Sequence, residues 1–120
     1  MENKVKINSR NLVVIPQGVD KLLSFKKSLT FQADHVLGAT IDNEILNESK
    51  GIKDGGTNIP GYYAGTFIKN NRKSFFNIKR SSTAVVIELT NENYNQLFIG
   101  VDNPRELVDQ INNLAAANSK

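Results

Sequence analysis

Cysteine is missing from this 120-residue chain, and histidine occurs once, at His35. Without cysteine there is neither a disulfide framework nor a thiolate metal site. One histidine and scattered carboxylates do not provide the convergent ligands a metal needs, so neither a metal nor a cofactor is expected. Long apolar runs are missing too. The longest aliphatic stretch, Leu12-Val13-Val14-Ile15, is far short of the roughly 20 residues that span a bilayer as a helix. The opening residues, Met1-Glu2-Asn3-Lys4-Val5-Lys6, alternate charge with apolar groups, which is unlike a signal peptide. The expectation is a cytoplasmic protein with no transmembrane segment, in which the sequon-like Asn47-Glu48-Ser49 has no meaning.

What is present suits a folded domain. Hydrophobic residues make up 39% and charged residues 22%, a globular balance. A chain of this length buries about two-thirds of its unfolded surface, enough for one core, and residues 1–120 read as a single domain without repeat or linker. The net charge of +3 is mildly basic, compatible with an anionic partner and far from diagnostic.

Residues 51–67 hold five of the eight glycines and run from a loop into an aromatic, β-branched strand. Gly51, Gly56 and Thr57 have P-loop spacing, but no lysine precedes the threonine. A P-loop follows a buried strand and opens a helix, whereas here Ile59-Pro60-Gly61 makes a turn before a strand. A turn-rich connection is the better reading.

Lys4 to Asn8 alternates polar and apolar, and Asn11 to Ile15 is a short apolar run, so the pair reads as a β-hairpin. Val19 to Lys26 fits a helix or a strand, with strand preferred. Leu29 to Phe31 and His35 to Ile41 read as strands, and Asp42 to Asn58 as mostly loop. Tyr62 to Lys69, Ser74 to Lys79, Ala84 to Leu89 and Leu97 to Val101 are short strands with polar turns, a pattern of barrels and sandwiches. The period then changes. Asn103, Pro104 and Glu106 suit the N-cap, first and third positions of a helix. Leu107, Val108, Ile111, Leu114 and Ala115 form an apolar stripe along it, and residues 116–120 are expected to fray.

The segments Leu12 to Lys26, His35 to Thr40, Ile59-Pro60-Gly61 with Gly65-Thr66-Phe67, Ala84 to Ile87 and Val101 to Pro104 follow one another in an order that resembles the bacterial pleckstrin-homology (PH)-like families of unassigned function. The resemblance covers nearly the whole chain. It implies a mainly β fold, a PH-like barrel of about seven antiparallel strands capped by one C-terminal α-helix, and it lends no activity. Phosphoinositide-binding PH domains carry paired basic residues after the first hairpin turn, and here that hairpin offers only Lys4, Lys6 and Arg10.

His35 follows Asp34, but neighbours in a strand point to opposite faces and no nucleophile completes a triad. No catalytic residue is assigned and no enzyme is expected. Lys69, Arg72, Lys73, Lys79 and Arg80 lie in a stretch without a carboxylate, with Phe75 and Phe76 between them. They are the candidate anion-binding residues, although a soluble hairpin with protective edge lysines explains them as well. Tyr62 and Tyr63, beside the glycine-rich loop, are the candidate interaction residues, with a partly buried tyrosine as the plainer account. The leading expectation is a non-catalytic module for protein–protein interaction or self-association, with an oligomer in view. The alternative is a binder of a lipid head group or nucleic acid through the 69–80 hairpin.

Overall fold

Asn8 closes the first turn of the chain: its Oδ1 accepts the backbone N–H groups of Arg10 and Asn11, each at 2.8 Å. That turn joins β1 (Asn3–Ile7) to β2 (Asn11–Pro16) as an antiparallel hairpin, with Val5 opposite Val14 and Ile7 opposite Leu12. The computed structural model describes residues 3–17, 28–42, 52–57, 62–79 and 81–118. Strand β3 (Leu29–Gln32) pairs antiparallel with β2 and completes a three-stranded sheet. A single 3-10 turn over Ala33–His35 follows, pinned to the first hairpin by the Ala33 N–H on the Arg10 carbonyl.

The remaining strands are β4 (Val36–Asp42), β5 (Ile52–Thr57), β6 (Tyr62–Lys69), β7 (Arg72–Lys79), β8 (Ala84–Leu89) and β9 (Gln96–Ile99). They form one six-stranded sheet in the order β4-β8-β9-β7-β6-β5. Helix α1 (Pro104–Asn118) ends the fold. It begins as its sequence requires: the Leu107 N–H bonds to the Asn103 carbonyl at 3.1 Å.

Both faces of the six-stranded sheet are apolar, and period-2 alternation sorts the side chains. Phe75, Val85, Ile87, Leu97 and Ile99 share one core with Leu12, Val14 and Phe31 of the three-stranded sheet and with Leu107, Val108 and Ile111 of α1. On the opposite face Phe67, Phe76, Ile78, Ala84, Val86 and Phe98 form a second cluster. There Phe76 lies 4.4 Å from Phe98 in a stacked pair and 4.9 Å from Phe67 edge-on. A buried polar pair, Asn3 and Asn77, crosses between the sheets. Asn3 donates to the carbonyls of Asn77 and Gly100, and Asn77 donates back to Asn3 at 2.7 Å.

The closed PH-like barrel of antiparallel strands is not what the chain forms. Strands β7 and β9 run parallel, with Ser74 opposite Gln96 and Asn77 opposite Ile99. Strand β9 lies between β7 and β8, so these two strands, consecutive in the chain, are not neighbours in the sheet. Closure also fails because, among the described residues, no strand of one sheet pairs with a strand of the other. At the β4 edge the place of a neighbouring strand is taken by α1, where Asn112 binds both backbone groups of Ala39.

Three local expectations change too. Residues 52–57 are a strand, not loop, held by pairing to β6. The helix continues through Asn118 where fraying is expected. The 3-10 turn takes His35 out of its expected strand. The helix-or-strand segment Val19–Lys26 lies outside the described residues.

Candidate interaction surface

The β6–β7 hairpin turns on Asn70 and Asn71, whose φ angles of 54° and 63° are left-handed, as a two-residue type I′ turn requires. Asparagine tolerates this region better than most residues. The turn fixes the register: Lys69 stands opposite Arg72, and Ile68 opposite Lys73. Lys79 stands opposite Tyr62, at the far end of the hairpin. Seven strand steps separate Lys79 from Arg72, roughly 23 Å, about twice the screening length at 0.1 M salt. The hairpin therefore does not gather the candidate cations into one field. Lys69, Arg72 and Lys73 stay together at the tip, Lys79 stands apart, and Arg80 lies outside the described residues.

The tip cations are also engaged. The Arg72 guanidinium bonds Glu88 Oε2 at 3.1 Å. Lys73 Nζ sits 5.6 Å from the centre of the Tyr94 ring, whose hydroxyl pairs with Thr66 Oγ1 at 2.9 Å. Tyr62 and Tyr63 are both half-buried, and Tyr63 packs on the Phe76–Ile78 cluster.

A different feature stands beside the tip. Val36 pairs with Leu89 and Gly38 with Glu88, so Leu37 is an extra residue without an opposite number, a β-bulge. Its side chain is 60% exposed, the most of any large hydrophobic among the described residues. It borders a cleft of about 540 Å³ whose other walls include Gly38, Arg72, Glu88, Thr90 and Asn95. The polar walls are held in place. Gln96 Nε2 donates to Glu88 Oε1 at 2.6 Å, while Arg72 takes Oε2. Asn95 Oδ1 accepts the Lys73 N–H at 2.8 Å, the Asn95 N–H reaches the Lys73 carbonyl, and the Asn95 carbonyl accepts from Leu89. No family model matches the chain, and no curated protein or solved structure is significantly similar to it. The PH-like resemblance thus gains no support there and meets no refutation.

His35 has a structural place. Its Nδ1 lies 2.8 Å from Glu92 Oε2, which also accepts the Gln32 N–H at 3.2 Å. The His35 carbonyl accepts the Thr90 N–H at 2.9 Å. The ring therefore ties the end of β3 to the loop between β8 and β9. Asp34 is 4.0 Å away, on the Nε2 side. Among the described residues no three His, Asp or Glu side chains converge as metal ligands, and no helix is long and apolar enough to cross a membrane.

Sequence reasoning missed Leu37, Glu88 and Asn95. A Leu-Gly step inside an alternating strand is the one local sign of a bulge. The approach of Glu88 and Asn95 depends on β8 and β9 being neighbours of β4 and β7, which no local pattern encodes.

Proposed function

We propose that this chain is a non-catalytic module that binds protein, a second copy of itself included, at the cleft beside Leu37. The carrying observation is an exposed large apolar side chain at 60%, set on a bulge beside fixed polar groups. Interfaces are built in this way, with an apolar anchor surrounded by satisfied polar contacts. The cytoplasmic setting and the kinship with bacterial PH-like families, without the closed barrel, belong to the same proposal. Light scattering of the purified protein across a wide concentration range, with capture from native extract, tests it. Burying one leucine contributes about 1.5–3 kcal/mol, so Leu37→Lys should weaken the complex tenfold or more while the melting temperature stays put. A complex indifferent to Leu37→Lys removes this surface from the proposal.

A second reading, anion binding, draws on Lys69 opposite Arg72 with Lys73 one step behind. It predicts saturable binding to anionic vesicles or single-stranded nucleic acid at low salt, lost steeply as salt rises. Replacing Lys69 and Lys73 by glutamine should flatten that slope. Absence of saturable binding at low salt rules it out.

A further inference from the structure

The cleft beside Leu37 is unequal in its hydrogen-bonding capacity. Among the described residues its one carboxylate, Glu88, already has both oxygens engaged, Oε1 by Gln96 at 2.6 Å and Oε2 by Arg72 at 3.1 Å. The donors are less engaged. Arg72 is 52% exposed and spends one guanidinium nitrogen on Glu88, leaving the rest of a five-donor fork towards solvent. Asn95 has its oxygen fixed by the Lys73 N–H, which orients its amide nitrogen, and that nitrogen bonds to no described residue. Thr90 lines the same cleft. Donors facing spent acceptors, with Leu37 at the rim, match a carboxylate carried next to an apolar group.

We infer that the cleft takes an acidic, apolar segment of a partner protein: an Asp or Glu side chain on Arg72 and Asn95, with a neighbouring aliphatic side chain on Leu37. This deepens the protein-binding reading and rests on it. Glu88 has a positioning role, since its grip on Arg72 holds the guanidinium at the cleft mouth and lowers the entropy lost on binding. Charge complementarity favours this occupant. The hairpin tip adds Lys69 directly opposite Arg72, and the neighbouring carboxylate is already paired.

The test is an NMR titration of the full chain, following the amides of Leu37, Arg72 and Asn95 and the Asn95 side-chain NH2. The probes are acetyl-Leu-Asp-Glu-Leu-amide, its neutral twin acetyl-Leu-Asn-Gln-Leu-amide, and inorganic phosphate. The acidic peptide should saturate with shifts at all three residues. The twin should bind about tenfold more weakly, the loss expected for hydrogen bonds to a charged group. Arg72→Gln should reduce the acidic peptide to the level of its twin, and Arg72→Lys, which keeps the charge without the fork, should fall between. An unchanged pattern of distant amide signals shows that each variant is folded. Equal binding of the two peptides overturns the carboxylate assignment while leaving protein binding at Leu37 intact. Phosphate shifting the same signals as strongly as the peptide makes the site a plain anion site and overturns the peptide. Concentration-dependent shifts at these amides without any peptide make the occupant a second copy. No shift with the acidic peptide overturns the inference, and the Leu37→Lys scattering experiment decides the broader reading separately.

Discussion

Asn112 lies along the outer edge of β4 and makes both hydrogen bonds that a neighbouring strand would make to Ala39, accepting its N–H at 2.8 Å and donating to its carbonyl at 3.0 Å. An unpaired strand edge invites another chain, so this amide both stabilises and shields. Its approach depends on Gly38, which has φ +157° and whose added Cβ would lie 3.1 Å from the Asn112 oxygen. Asn112→Ala should cost about 1–2 kcal/mol in urea unfolding and speed hydrogen exchange at Ala39. Gly38→Ala should also destabilise, and the double variant should lose less than the two singles combined, because each breaks the same contact. Strict additivity would separate the two residues. The buried Asn3–Asn77 pair carries more. Asn3→Ala strips partners from the Asn77 amide and from the Asn77 and Gly100 carbonyls, so a loss of about 2–4 kcal/mol is expected. The Asn77 side-chain oxygen Oδ1 has no hydrogen-bond partner among the described residues, so the pair is not held there for hydrogen-bond energy alone.

At the scale of the elements, α1 is the one most fully written in the sequence. Its stripe meets the core where periodicity places it: Leu107, Val108 and Ile111 are buried, Ile111 completely. Ile111→Ala should therefore cost about 2–5 kcal/mol in urea melts, and a loss below about 0.5 kcal/mol would mean the stripe does not seal the sheet. The β1–β2 and β6–β7 hairpins were legible for the same reason, since alternation and a tight polar turn both act within a few residues. The misses share a cause as well. Residues 52–57 have two glycines and weak strand propensity, and they become a strand because β6 offers a pairing edge. Strand β9 follows β8 like the next arm of a meander, yet it pairs on its other side with β7, in parallel. Propensity and period are local quantities, whereas strand order is settled by which long-range faces bury together. The candidate cations were legible as residues, but their grouping was not. The turn at Asn70 and Asn71 decides which of them meet, and Glu88, a partner from another strand, decides how much of Arg72 is left to act.

For the molecule as a whole, the question is whether two sheets that share no strand pairing behave as one cooperative unit. The core answers that they should. Leu12, Val14 and Phe31 from the three-stranded sheet are at most 4% exposed and belong to the cluster that also holds Phe75, Ile87, Ile99 and Ile111. Neither layer can leave without exposing the other, and small domains with one continuous core usually unfold in one step. Two polar ties reinforce the joint at separate places, Asn3 to Asn77 and His35 to Glu92. Leu12→Ala, a change confined to the smaller sheet, should therefore cost about 2–5 kcal/mol everywhere at once. Far-UV circular dichroism reports both sheets, whereas the tyrosines, Tyr62, Tyr63 and Tyr94, report the larger one by fluorescence. The urea transitions seen by the two probes should coincide in the wild type and move together in Leu12→Ala, with the slope on urea unchanged. Native-state hydrogen exchange gives the finer check, since the most protected amides of β2 and β8 should lose the same free energy. A variant in which β2 opens early while β8 and the tyrosine signal keep their wild-type midpoint would show that the three-stranded sheet is a separable layer, and that the shared core does not bind the two into one unit.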